Sequence, residues 1–206
     1  MNNWTAPFSF SNLTELITKG SSPKWQGINC VSKENGILFI TSQNVWNHHM
    51  RKIDALKYVN GRFNEIEPRS FLNRSDILMN LVSASIGRTA VYDLENGAII
   101  NQAVALIRLL QFDGVDTRYL LHFFNSPQAI ESMLTFRVTT ALPNISLTNA
   151  REFILPLPPL AEQRRIVAKV DQLITYVDQL ESQIDQSHST AESLKESVVA
   201  EMTVGK

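Results

Sequence analysis

The last quarter of the chain carries a regular apolar stripe. Between Ala161 and about Met202 the sequence contains no proline or glycine, and apolar residues recur at alternating steps of four and three. This alternation is typical of a coiled-coil seam. It predicts a helix of roughly 42 residues, about 60 Å long. Its seam consists of Ile166, Val170, Leu173, Val177, Leu180, Ile184, Leu194 and Val198.

Two interpretations of this stripe are open. A helix with one apolar face usually packs against its own domain, and Ser187 and Ala191 weaken the middle of the seam. However, a domain of about 160 residues is only about 35–40 Å across, so much of a longer helix has to project. The length therefore favours a stripe that is completed by a second chain.

The first three quarters of the chain alternate short apolar runs with turn signals. Ile37–Ser42 predicts a strand, and "RTAVYDLENGAIINQAVALIRL" predicts two strands around an Asn-Gly turn. Helical spacing covers Asp116–Ser126, and Ser126 with Pro127 predicts the start of a second short helix. Tight hairpin turns are expected at the three Asn-Gly pairs, which are Asn35-Gly36, Asn60-Gly61 and Asn96-Gly97.

The segment "EFILPLPPL" separates the two parts. Residues that precede proline are biased towards extended backbone, and proline is well tolerated where a helix begins. We therefore expect a mixed α/β (α+β) globular domain at residues 1–158 and a helical region at residues 159–206.

Composition narrows the class of protein. The chain is 44% hydrophobic with a net charge of −1, lacks a long apolar run, and does not begin like a secretion signal. The single Cys30 fits a reducing compartment, and the four histidines show no metal-ligand spacing. A cytoplasmic protein without a metal or membrane span is expected. Residues 1–90 carry a net +4 and residues 91–206 a net −5, which weakly favours a polyanionic partner for the first half.

The stretch "ILPLPPLAEQRRIVAKVDQLITYVDQLESQI" resembles the conserved region of specificity subunits from Type I restriction–modification systems. "RSDILMNLVSASIGRTAVYD", "NQAVALIRL" and "TALPNISLTNAREFILPLPPL" resemble segments of their target recognition domains. The resemblance is strong over residues 154–185 and looser from about residue 70. It implies a chain that recognises a DNA sequence and docks methyltransferase subunits, with a restriction subunit as a further candidate partner.

The chain differs from that family in one respect. Family members usually contain two recognition domains and two helical regions, whereas this sequence has one of each. The expected arrangement is a homodimer whose long helices pair as an antiparallel coiled coil. Because a two-fold dimer presents two identical domains, its DNA target should be an interrupted palindrome.

Catalytic motifs are absent from the sequence. It contains neither the Asn/Asp-Pro-Pro-Tyr/Phe motif of amino-group methyltransferases nor a glycine-rich loop placed for S-adenosylmethionine. We therefore expect a non-catalytic chain without a cofactor, and S-adenosylmethionine in the partner methyltransferase subunit.

In protein–DNA complexes, cationic side chains bind phosphates, and amide and guanidinium groups bind base edges. The richest cluster is "TSQNVWNHHMRK", where Gln43 or Asn44 could contact adenine and Arg51 guanine or a phosphate. A plain exposed polar loop remains the alternative there, as a plain turn does for "SASIGRT". The candidates are Lys24, Ser42, Gln43, Asn44, His48, Arg51, Lys52, Ser85, Arg88, Arg137 and Thr139. A coiled-coil scaffold protein that has lost DNA reading is the rival function.

Overall fold

The computed structural model describes residues 7–111, 113–135 and 144–204, and only the backbone at residues 7, 53, 83 and 197–204. Its first compact unit ends at Gln163, and the second covers residues 164–206. The described part of the first unit contains short strands and short helices. The second consists of a single helix. The predicted class, a mixed α/β domain followed by one long helix, is therefore confirmed.

The strands of the first unit form three sheets. A four-stranded antiparallel sheet has the order β2-β10-β7-β8, a five-stranded mixed sheet has the order β3-β5-β4-β9-β6, and β1 pairs with β11. The strands are β1 Pro7–Ser9, β2 Thr14–Lys19, β3 Cys30–Val31, β4 Gly36–Ile40, β5 Lys57–Asn60, β6 Phe71–Leu72, β7 Ile77–Asn80, β8 Thr89–Val91, β9 Ala98–Ile100, β10 Val104–Leu109 and β11 Ile154–Pro156.

The main core lies between the two larger sheets. Leu78 of β7 and Leu106 of β10 pack in one cluster with Leu38 of β4 and Ile100 of β9. The opposite face of the five-stranded sheet forms a second cluster around Phe63. Because both faces of these strands are covered, their sequences read as continuous apolar runs rather than as alternating patterns.

Short helices surround these sheets. They are α1 Arg62–Ile66, α2 Thr117–Phe124, α3 Pro127–Thr135 and α4 Leu147–Glu152. The start of α2 is fixed by Asp116, whose carboxylate accepts hydrogen bonds from the Arg118 and Tyr119 amides. Phe124 of α2 stacks edge-on against Phe10, with ring centroids 4.8 Å apart. The helices predicted at 116–126 and after Ser126 are confirmed.

The three Asn-Gly pairs do not form the predicted hairpin turns, and this prediction was wrong. Among the described glycines, positive φ angles occur at Gly27 and Gly87, whereas Gly36 has a φ of −135° at the start of β4. At Gly97 the reason for glycine is space, since a Cβ there would lie 2.1 Å from Cζ of Phe71. A side chain at position 97 would therefore require the Phe71 ring to move.

The long helix α5 spans Leu160–Val204, which confirms the predicted helix. Its first turn still belongs to the first compact unit because Gln163 is fully buried. The Gln163 amide donates to the carbonyls of Gly114 and Pro158 at 3.0 and 2.8 Å, and its Oε1 accepts from the Asp116 amide at 2.9 Å. These bonds extend the first unit beyond the expected boundary at residue 158.

The predicted seam is exposed over most of its length in the single chain. Leu173, Val177, Leu180, Ile184 and Leu194 are each between 50% and 65% exposed, whereas Ile166 and Val170 are half-buried. The side chain of Val198 lies outside the described residues. No helix within the described ranges combines the length and apolarity needed to cross a bilayer.

Candidate nucleic-acid interface

Several of the candidate residues lie at one edge of the sheets, where strands end and loops connect them, and we call this the loop edge. Strands β2, β4, β7 and β9 end there, and β8 and β10 begin there. The two larger sheets meet at this edge. The Asn80 amide donates to the Ser42 carbonyl at 3.0 Å, and a Cβ on Gly20 would lie 1.7 Å from the carbonyl oxygen of Ile100.

The 41–52 loop at this edge has a defined conformation. Val45 and Met50 form an antiparallel bridge, and both side chains are buried in the main core. His48 and Lys52 adopt φ angles of +69° and +55°. Left-handed backbone at residues other than glycine costs about 1–3 kcal/mol each and is concentrated at functional sites. The loop therefore holds an unfavourable local geometry that its buried anchors stabilise.

Asn44 has a structural role within this loop. It is only 6% exposed, and its Oδ1 accepts hydrogen bonds from the amide and the hydroxyl of Thr41, both at 3.0 Å. Its Nδ2 donates to the carbonyl of Arg51 at 3.4 Å. Because the amide is buried and engaged on both sides, Asn44 closes the loop, and the exposed Gln43 is the better placed of the two amides for an adenine contact.

Two candidate arginines converge on an aromatic ring. The Cζ atoms of Arg51 and Arg88 lie 3.6 and 3.9 Å from the ring centroid of Trp46. Arg51 Nε also donates to the carbonyl of Gln43 at 3.1 Å. Stacking on an indole stabilises a guanidinium and restricts its rotamers while its edge donors stay in the ring plane. The arrangement presents two ordered forks of N–H donors at the loop edge.

A histidine pair lies on the same side of the domain. Nε2 of His48 and Nδ1 of His122, from α2, are 3.1 Å apart. The His48 backbone amide donates to the carbonyl of Thr89, next to Arg88, at 2.9 Å. Asn125 bonds both backbone groups of Thr89 through its amide, at 3.1 and 2.9 Å. The 41–52 loop, the start of β8 and α2 are thereby fixed to one another.

The remaining candidates differ in position and exposure. Gln43, Lys52 and Lys24 are exposed, whereas Ser42 is half-buried. Ser85 is also half-buried, and its hydroxyl donates to the carbonyl of Val82 at 3.1 Å, as in a plain turn. Lys24 precedes Trp25, which lines a loop-edge groove of about 680 Å³ together with Val82, Gln102 and Asn144. Arg137 and Thr139 lie outside the described residues.

At the opposite edge of the four-stranded sheet, a carboxylate neutralises the charge of Arg108. Asp76 is almost fully buried and accepts two hydrogen bonds from Arg108, at 2.8 and 2.7 Å. The hydrogen bond to this carboxylate raises the pKa of Arg108. Nearby, the Tyr92 hydroxyl donates to the carbonyl of Asn96, and burial raises its pKa to about 12. These charges and polar groups therefore serve the fold.

Two residues of the candidate interface were not identified from the sequence. Trp46 lies inside the very run of polar and basic residues that was selected, so an aromatic within such a run was a usable signal. His122 is separated from His48 by 74 positions. No local pattern reports that contact, because it arises from the packing of α2 beside β8.

Sequence comparison identifies the family. Residues 7–187 match the model of the Type I restriction modification DNA specificity domain. Among curated protein sequences, none matches the chain significantly. The sequence match to the family covers most of the chain, including the loop edge and the first half of α5.

Solved structures show the same fold. A chain from a study of complex assembly and conformational transition of the type I R-M system aligns at a TM-score of 0.69 and 21% identity, over 94% of this chain and 44% of that one. The HsdS subunit from Thermoanaerobacter tengcongensis aligns at 0.62 and 23% identity, over 87% and 40%. The Type-I restriction-modification system S subunit from M. genitalium aligns at 0.52 and 15%, over 88% and 42%.

This chain thus spans less than half the length of these three structural neighbours. Its mixed α/β domain and long helix reproduce one portion of them. By the family match over residues 7–187, the chain belongs to the Type I restriction–modification DNA specificity family.

Proposed function

We propose that this chain reads a specific sequence in double-stranded DNA through its loop edge. The observation that carries this proposal is the convergence of Arg51 and Arg88 on Trp46. A guanidinium fork donates two parallel hydrogen bonds, which match O6 and N7 of guanine in the major groove, or two phosphate oxygens. Ordering two such forks before binding reduces the entropy lost on complex formation.

Other side chains of the first unit would contact different parts of the DNA. Gln43 carries an amide that can bond N6 and N7 of adenine, and it adjoins Arg51 in space. Lys52 and Lys24 are exposed cations suited to phosphates, which supply affinity and orientation but no sequence information. His48 holds the loop against α2, and this favours a contact surface that stays rigid on binding.

The helix α5 supplies the second part of the proposal, a homodimer. Five large apolar side chains along its seam are half-exposed or more, and a contiguous apolar stripe of this kind marks an interaction surface. Antiparallel pairing of two copies of α5 would place two identical readers on one DNA molecule. A two-fold dimer reads an interrupted palindrome.

The chemistry is assigned to partners of the dimer. Methyltransferase subunits, with S-adenosylmethionine, would modify the site that this chain selects, and a restriction subunit would act at the same assembly. Family membership supports this division, and this chain is proposed as the non-catalytic member. The rival function is a coiled-coil scaffold without DNA reading, which the exposed seam alone would also explain.

Selection from a random duplex library tests DNA reading. The full chain, with and without its methyltransferase subunit, should enrich an interrupted palindrome, and its affinity should fall steeply as salt concentration rises. The Trp46→Ala variant serves as the comparison because it removes the indole ring on which both arginines stack. Enrichment of no motif by the native complex would favour the scaffold function over the reader.

Substitutions in the seam test the homodimer. Leu173→Asp with Leu180→Asp places two charges in the apolar seam, so the protein should become monomeric while its first unit stays folded. Gln179→Asp with Gln186→Asp adds the same charge at positions outside the seam and is the matched control. Light scattering after size-exclusion chromatography measures the mass, and a dimer in both variants would exclude α5 as the interface.

A further inference from the structure

We propose that Asn80, at the end of β7, is a positioning residue that holds the two DNA-contacting arginines in register with each other. This inference rests on the proposed function, since it concerns how the loop edge is prepared for DNA. Asn80 itself is fully buried and would not touch the nucleic acid. It acts through the two chain segments that carry Arg51 and Arg88.

The side chain of Asn80 binds the segment that leads to Arg51. Its Nδ2 donates to the carbonyls of Ser42 and Val45, at 3.0 and 3.4 Å. The Ser42 carbonyl lies near the beginning of the 41–52 loop, and the Val45 carbonyl directly precedes Trp46. One amide group therefore fixes the point from which the indole and the first guanidinium extend.

The backbone of Asn80 binds the segment that carries Arg88. Its N–H donates to the Arg88 carbonyl at 2.9 Å, and its carbonyl accepts from the Gly87 N–H at 3.0 Å. The same residue thus contacts both segments, which are separated by more than thirty positions in sequence. Their relative position sets whether both guanidinium groups reach the Trp46 ring.

The second polar atom of the Asn80 amide, Oδ1, indicates that this residue positions the loop rather than stabilising the whole fold. Oδ1 of Asn80 is buried and has no hydrogen-bond partner within the described residues. A buried acceptor without a partner costs free energy. An apolar residue of similar branched shape would remove that cost while releasing the 41–52 loop. Asn80→Leu should therefore separate the positioning of the loop from the stability of the fold.

The experiment compares Asn80→Leu with a matched control, Asn101→Ala. Asn101 lies at the same edge and its Oδ1 caps a turn by accepting from the Ala103 amide at 3.1 Å, but its side chain has no bond to the 41–52 loop. Both variants are made in the full chain with Trp4 and Trp25 replaced by Phe, so that Trp46 is the only tryptophan and can be excited selectively over the tyrosines. Acrylamide quenching of Trp46 is measured without DNA.

Binding to the selected duplex and to a scrambled duplex is then measured for each variant. Asn80→Leu should increase quenching of Trp46 and lower affinity for the selected duplex about tenfold, because two hydrogen bonds to the loop are lost. Affinity for the scrambled duplex should change less than twofold, since the cations remain. Asn101→Ala should leave all three values unchanged.

The proposal is overturned if Asn80→Leu leaves unchanged both the quenching of Trp46 and the ratio of its affinities for the selected and the scrambled duplex. If that variant does not fold, Asn80→Ser, which also loses both bonds without adding volume, replaces it under the same criteria. Failure of both variants to fold would show that Asn80 serves the whole fold, and this too overturns the separate positioning role. If Asn80→Leu increases the quenching of Trp46 but the native protein shows no sequence preference, DNA reading is rejected and the positioning role is retained.

Discussion

The two edges of the four-stranded sheet use arginine in different ways. At the opposite edge, Arg108 is neutralised by the buried Asp76, and Arg74 pairs with Glu95 at 2.8 Å. At the loop edge, Arg51 and Arg88 lie over an indole. A carboxylate satisfies both the charge and the donors of a guanidinium, whereas a ring orders the group and leaves its charge for an outside anion. The comparison distinguishes arginines neutralised by carboxylates from arginines stacked on an aromatic ring, and the stacked pair carries the DNA contacts that we propose.

The largest expected effect follows from removing both stacked arginines. Arg51→Ala with Arg88→Ala should weaken binding to the selected duplex by about 100-fold or more, because each base or phosphate contact contributes about 1–3 kcal/mol. Fluorescence anisotropy across a salt series measures the affinity and its salt dependence, which should also become shallower.

The control for that loss is the same reduction of charge elsewhere. Arg62→Ala with Arg74→Ala removes two exposed cations, and Arg74 belongs to an ion pair at the opposite edge. This control should bind within about twofold of the native protein, apart from the long-range effect of net charge. Equal losses in both double variants would show that only total charge matters and would remove the distinction between the edges.

A second prediction concerns the buried ion pair at the opposite edge. Asp76→Ala leaves Arg108 without its partner and should lower the free energy of unfolding by about 3 kcal/mol, since an uncompensated buried charge is costly. Urea denaturation measures this change, and the folded protein should keep its DNA affinity. Glu95→Ala, which breaks the exposed pair with Arg74, should cost less than about 0.5 kcal/mol. A similar loss in both variants would contradict the assigned burial.

The smallest expected effect is a change in the pH dependence of the free energy of unfolding, caused by Tyr92 at the same edge. The phenol of Tyr92 keeps its proton in the folded protein up to a pKa of about 12, whereas unfolded tyrosine ionises near pH 10. Its contribution to stability is therefore complete below about pH 10 and is lost as pH rises through 12. Tyr92→Phe should flatten this alkaline decline, measured by urea denaturation from pH 9 to pH 12. An unchanged slope would argue against burial as the cause.

The loop edge also shows how exposure corrects a sequence-based choice. Gln43 and Asn44 were equal candidates for an adenine contact, because both are amides in the same polar run. Folding separates them: Gln43 is exposed, and Asn44 is buried with its amide bonded inside the loop. Neighbouring positions after a strand face different surroundings, and composition alone does not report which side chain is outside.

Local periodicity was sufficient for the long helix and for the strand near Ile37, whereas the run predicted as two strands around Asn96-Gly97 forms three, β8, β9 and β10. α5 was predictable since its apolar spacing is regular and no proline or glycine interrupts it, and α2 was predictable from its helical spacing. Local rules failed at Asn96-Gly97, where the ring of Phe71 from another strand occupies the space that a side chain would need.

The sequence by itself determined the division into a mixed domain and a helix with an apolar seam, because periodicity and capping act over a few neighbouring residues. Only the tertiary structure decided which polar residues lie together in the proposed interface. Arg51, Trp46 and Arg88 come together because β4 and β7 end at the same edge, and His48 meets His122 because α2 packs beside β8. Such contacts depend on the order of strands in the sheets, which no short window of sequence contains.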